Sequence, residues 1–187
     1  LEWLTVGDFY LLEGEVEAAL KHFERCYEKT NDPYEGLRVA MVADQLKETQ
    51  RRDAALRQIQ QKGTDFIVCS TNKPRVHLLA LADMIIDDLD AGGRGEIDLA
   101  AADKIASAIE DNLARMNFHY YLAKYLDLHG KPDAAIHRWK LCLAHTGMTD
   151  WCRTLAGAEL VQRGYAPDCY LTVLADQGSE NRSAEQS

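Results

Sequence analysis

The chain has 187 residues, 47% of them hydrophobic and 8% aromatic, with 4 Pro and 12 Gly. That suits one domain or one short array of repeats, and it excludes a disordered chain or a collagen. The formal charge of −9, from 21 Lys and Arg against 30 Asp and Glu, opposes nucleic-acid binding, which needs clustered cations, and favours basic partners.

No apolar run approaches the roughly 18 residues of a membrane-spanning helix, so no membrane insertion is expected. The five cysteines are Cys26, Cys69, Cys142, Cys152 and Cys169. An odd number without a CxxC suggests neither a zinc finger nor a complete disulfide framework. They read as small core residues. Residue 1 is Leu, and helical periodicity already runs there. The expectation is a fragment or a processed chain, with a cytoplasmic location.

Apolar residues recur at helical spacing almost throughout. Helices are expected over 1–12 and 16–28, with Gly14 at the turn between them. Asn31-Asp32-Pro33 is a break and a helix start. Helices over 34–48 and 52–61 follow, then a connector over 63–72. The stretch 74–89 reads as a long helix with Pro74 in its first turn. A glycine-rich loop covers 90–95. Helices are expected over 98–116, 118–128, 132–145, 149–163 and 167–175. The segment 149–163 takes Thr149 or Asp150 as its N-cap. The residues from 178 onward are small and polar and read as a tail.

The pattern is helix, short turn, helix, and it repeats. The first pair contains Trp3, Val6, Gly7, Tyr10, Gly14, Ala19, Phe23 and Cys26. Leu122, Ala123, Leu126, Gly130, Ala135, Trp139 and Cys142 repeat it. The key small residue falls at Ala19, Ala55, Ala101, Ala135 and Cys169, at intervals of 36, 46, 34 and 34. The long interval absorbs the connector and an insertion near 90–96. This register resembles the tetratricopeptide repeat (TPR) family, whose period is about 34 residues. The resemblance covers about residues 1–176, with repeats near 1–32, 34–62, 74–116, 117–147 and 149–176. It implies an all-α, right-handed superhelical solenoid of about five antiparallel helix pairs.

Each residue type has a mechanical reason. Gly7, Ala43, Ala82, Ala123 and Gly157 let helices approach closely. Phe23, Ile59, Ile105, Trp139 and Val173 fill the space toward the next pair. Gly14, Gly130 and Gly164 suit left-handed turn positions. No pair buries its faces alone, so stacking supplies the core.

The resemblance implies a concave groove lined by the first helix of each pair. Its central position is Asp8, Asp44, Asp83 and Lys124. One turn on lie Leu11, Lys47, Ile86 and Asp127, then Leu12, Glu48, Asp87 and Leu128. Earlier on these helices lie Leu4, Ala40, Leu79 and Tyr120. Three central Asp residues predict an acidic groove with apolar patches, suited to a basic or amphipathic protein segment. The Lys, Asn and Arg clamp of the family's chaperone-binding members is absent, with Leu4 and Asp8 at its first two positions.

Other chemistry finds little support. The segment 88–98 lacks the ligand spacing of an EF-hand, since positions 3, 5 and 12 counted from Asp90 are Gly92, Arg94 and Ala101. Cys142, His145 and His137 do not share a helical phase, as a metal site requires. No G-x-S-x-G, H-E-x-x-H or GxGxxG occurs. The expectation is a non-catalytic interaction or scaffold module without cofactor. The alternatives are a helical accessory domain of an enzyme whose catalytic part lies elsewhere, and a self-association module that joins through its end repeats.

Overall fold

The computed structural model describes residues 2–63, 76–144 and 151–165. Those residues are all-helical, with nine helices and no strand. They are α1 (Glu2–Leu12), α2 (Val16–Thr30), α3 (Pro33–Gln45), α4 (Thr49–Lys62), α5 (Val76–Asp90), α6 (Leu99–Ala108), α7 (Asn112–Leu128), α8 (Pro132–Ala144) and α9 (Trp151–Gln162). Residues 64–72 of the expected connector, Pro74 at the expected start of the next helix, the Thr149 or Asp150 cap and the expected helix over 167–175 lie outside the described residues, as do Cys69, Cys169 and Val173. No described helix is long and apolar enough to cross a membrane.

Helix starts follow side-chain chemistry. Asp32 accepts from the Tyr34 backbone N–H ahead of Pro33, and Asp98 accepts from Ala100 and Ala101. Each bond satisfies a donor that the first turn leaves open. Asp111 caps α7 by accepting from Ala114. That cap changes the predicted boundary. The single helix expected over 98–116 is divided, because Ile109 turns extended and α7 begins at Asn112. The Ile109 carbonyl then accepts from the Arg115 side chain.

All five first helices end in one way. An N–H just beyond the helix bonds a carbonyl five residues back: Glu15 to Tyr10, Glu48 to Ala43, Gly93 to Asp88, Lys131 to Leu126 and Tyr165 to Leu160. This closure puts a positive-φ residue before the donor in all five turns, Gly92 serving ahead of Gly93 at φ 117°. Gly14, Gly130 and Gly164 supply it at φ of 79°, 76° and 83°. Lys47 supplies it at φ 63° without the freedom of glycine.

The caps also show where the register drifts. Relative to Gly7, Ala123 and Gly157, the acceptor lies three residues on. It coincides with Ala43 in α3 and lies six beyond Ala82 in α5. So α3 ends a turn early and α5 a turn late. Helix α6 is rotated as well: Ala102 and Ala106 are buried, whereas Ala101 and Ile105 are only half-buried. The register of the third pair is one residue off the predicted one.

One core runs through the described helices. It joins Leu20 and Phe23 to Leu37, Leu56, Ile59, Leu81, Ile85, Phe118, Tyr121, Trp139 and Leu160. At Gly7 an added Cβ would lie 2.4 Å from the Phe23 ring, so α1 and α2 meet there too closely for any side chain. Gly157 has open space around it and is no such contact. Successive helices pack in order from α1 to α5 and from α5 through α9. In addition α3 packs on α7 and α1 on α9. Helices distant in sequence therefore also pack on one another.

Lys47→Gly is expected to raise stability by about 1 kcal/mol, because it removes the left-handed penalty of a side chain. A higher urea midpoint at unchanged m-value would show it; an unchanged midpoint would refute strain at this cap.

Candidate functional site

Two of the acids predicted to line an open groove are internal. Asp8 is 1% exposed and Asp44 is 4% exposed. Their charges need partners at that depth, and the fold supplies them.

Asp8 meets Arg38 of α3. The guanidinium donates from Nη2 to Asp8 Oδ2 at 2.8 Å and to the Tyr34 hydroxyl at 3.0 Å. Its Nε donates to the Tyr121 hydroxyl at 3.2 Å. Glu35 lies 3.8 Å away. The guanidinium also lies over the Phe23 and Tyr34 rings, at 5.0 and 4.4 Å from their centroids. Burial opposes its charge, but Tyr34, Tyr121, Glu35 and Asp8 raise its pKa well above the ordinary value. Burial pushes the Tyr120 and Tyr121 hydroxyls well up, so they stay neutral. Sequence reasoning missed Arg38. The available signal was a lone cation beside the apolar run Val39-Ala40-Met41-Val42-Ala43.

Asp44 lies at the early-ending terminus of α3. Arg52 of α4 donates to its Oδ1 at 2.7 Å, and His129 Nε2 lies 2.8 Å from its Oδ2. Burial would raise its pKa; the bonds from His129 and Arg52 outweigh that and lower it. Asp88 accepts from the Gly95 and Glu96 backbone N–H groups and from the Tyr125 hydroxyl. It therefore braces the glycine-rich loop through backbone and phenol donors.

An open cleft of about 510 Å³ survives beside α1, α7 and α9. Its apolar wall includes Leu11, Leu12, Val16, Leu128 and Leu155. Tyr120, Lys124, Asp127, Glu159 and Arg163 complete it. The charges pair internally: Lys124 Nζ to Glu159 at 2.6 Å, Arg163 to Asp127 at 2.6 Å and to Glu159 at 2.8 Å. Burial alone would raise the Glu159 pKa, but Lys124 and Arg163 lower it. Two cations and two carboxylates thus give the cleft little net charge.

The predicted groove residues divide accordingly. Leu11, Leu12, Tyr120, Lys124, Asp127 and Leu128 line this cleft. Asp8 and Asp44 lie in the buried pairs. Lys47 and Glu48 border a separate shallow depression at the α3–α4 turn, where Glu48 pairs with Arg51 at 3.1 Å. Asp83 and Asp87 are exposed on α5, and Asp83 accepts from Gln60 at 3.0 Å. The side chain of Leu4 lies outside the described residues. Of the three aspartates behind the acidic-groove expectation, only Asp83 remains at the surface. Cys26, Cys142 and Cys152 are buried. Cys152 packs within reach of the Tyr34 hydroxyl, at 3.6 Å, which gives it a place in the core.

No protein-family model matches the chain, nor does any curated protein or solved structure.

Arg38→Met should cost about 3–5 kcal/mol, because it leaves carboxylates buried without their cation. The double variant with Asp8→Asn should recover part of the loss. Urea unfolding followed by circular dichroism measures both; a loss under about 1 kcal/mol would contradict a hub role.

Proposed function

We propose that this chain is a non-catalytic protein-interaction module, a TPR-like array of five helix pairs. It takes an amphipathic segment of another protein in the cleft beside α1, α7 and α9. The observation that carries this reading is the cleft itself. Six of the residues that the repeat register assigns to a ligand-facing surface line it together. The common closure of the five first helices supports the repeat reading on which that assignment rests.

The lining favours an apolar edge over a charged one. Leu11, Leu12, Val16, Leu128 and Leu155 offer contact area to leucine-like side chains spaced one helical turn apart. Lys124, Asp127, Glu159 and Arg163 already satisfy one another, so a partner's charge gains little without breaking a pair. The preference for a basic partner therefore shifts away from the cleft, to the exposed Asp83 and Asp87 on α5. The net charge of −9 keeps nucleic acid an unfavoured ligand.

A second reading has its own support. Val6 and Phe9 of α1 are 40% and 52% exposed. An apolar outer face on an end helix suits self-association. Sedimentation over a wide concentration range separates the readings, since a monomer throughout removes the second.

Selection from a displayed peptide library is expected to yield amphipathic peptides. Their NMR shift perturbations should centre on Leu11, Leu12, Tyr120, Lys124 and Leu155. Ala158→Arg, which fills the cleft from α9, should weaken such binding at least about tenfold, or about 1.4 kcal/mol, at unchanged thermal stability. Perturbations centred elsewhere, or undiminished binding by the variant, would overturn the assignment.

A further inference from the structure

His129 stands at the C-cap of α7, and each of its ring nitrogens faces an acceptor. Nδ1 lies 2.7 Å from the Gly93 carbonyl oxygen, and Nε2 lies 2.8 Å from Asp44 Oδ2. A carbonyl oxygen has only lone pairs to offer. The Asp44 carboxylate is ionised, since Arg52 also donates to it. A neutral imidazole carries one N–H and can make only one of these bonds. The imidazolium makes both.

The surrounding charges agree with that state. On α3 stands Asp44. On α4 stands Arg52, which also donates to the half-exposed Asp53. On α5 stands Asp88, which accepts from Gly95, Glu96 and Tyr125. On α7 the Tyr125 ring stacks on the imidazole at 4.2 Å between centroids. In the following turn the Lys131 stem lies, with His129 Cβ, against Gly95; Arg94 of the loop is exposed. Among the buried and half-buried members, Asp44, Asp53 and Asp88 balance Arg52, Lys131 and His129 only when His129 is charged.

We infer that His129 is a pH-dependent clasp, whose charged form ties together the end of α3, the end of α7 and the glycine-rich loop between α5 and α6. Loss of one N–H proton to solvent sets that nitrogen's lone pair against its acceptor oxygen and opens one side of the clasp. The bonds of Asp88 to Gly95 and Glu96 remain and keep the loop partly anchored. Gln45 and Leu128, neighbours of Asp44 and His129, both line the cleft. The clasp thus sits beside that rim, although the inference holds whether or not the cleft takes a ligand.

The direction in pH follows from the bonds. Burial lowers the His129 pKa, but the Asp44 and Gly93 bonds outweigh it and raise it. The contribution is therefore complete below the ordinary histidine value of about 6.5. It is lost as pH rises through the raised native value. On the acid side the lowered Asp44 pKa preserves the pair.

The test uses the full chain. Imidazole ¹⁵N NMR should show both His129 nitrogens protonated past the ordinary histidine midpoint, with a titration midpoint above about 6.5. Hydrogen-exchange protection factors of Gly93, Gly95 and Glu96 should fall about tenfold with that same midpoint, as one charge-assisted bond is lost. In His129→Gln the loop protection should be low and flat across the range. In Asp44→Asn the His129 midpoint should drop. A native midpoint at or below 6.5, or loop protection that titrates equally in His129→Gln, would overturn the clasp. Should His129→Gln fail to fold, the native titration and Asp44→Asn decide the matter alone.

Discussion

A guanidinium cannot be left bare in a protein interior, and the neutralisation of Arg38 constrains everything around it. At that depth the charge must meet a carboxylate and several oxygen acceptors, or the fold pays the desolvation of an ion. Its partners come from different helices: Asp8 from α1, Tyr34 and Glu35 from α3, and Tyr121 from α7. One side chain therefore joins the first pair to the second and to the fourth. The Phe23 ring, pressed against Gly7, forms part of the guanidinium's apolar surroundings. Polar satisfaction and close packing select the same arrangement, in which helices distant in sequence pack on one another.

The helix ends carry the second constraint. Each first helix closes through the same five-residue bond, yet α3 stops a turn early and α5 a turn late. That displacement moves Asp44 from the middle of a face to a terminus. There it meets Arg52 from the next helix and His129 from two pairs away. A shift of one turn converts an expected ligand-facing acid into a structural one. The long α5 likewise carries Asp88 to the point where the glycine-rich loop folds back, and its two oxygens take up the loop's backbone N–H groups.

The open part of the face lies beside α1, α7 and α9. There the charges are present but mutually paired, and leucines supply the accessible surface. Recognition at such a surface depends on apolar shape rather than on field. This differs from the expectation drawn from three aspartates, because two of those carboxylates are neutralised inside the molecule.

Much was legible from the residues alone. Periodicity placed the helices. Asn31-Asp32-Pro33 marked a boundary, and glycines marked three of the turns, since these signals act through neighbouring backbone. The break at Asp111 was equally local and was passed over for a longer apolar period. The buried Ala102 in place of Ala101 was not legible, because the rotation of a short helix depends on what it packs against. Neither was Arg38, nor the pairing of Asp44 with His129, since their partners stand 30 and 83 residues from Arg38 and 85 residues from Asp44. Local sequence thus determined the all-helical pairs and their turns, because helix formation is short-range. The tertiary structure alone decided which carboxylates face a cleft and which are neutralised, because that depends on charges brought together from distant helices.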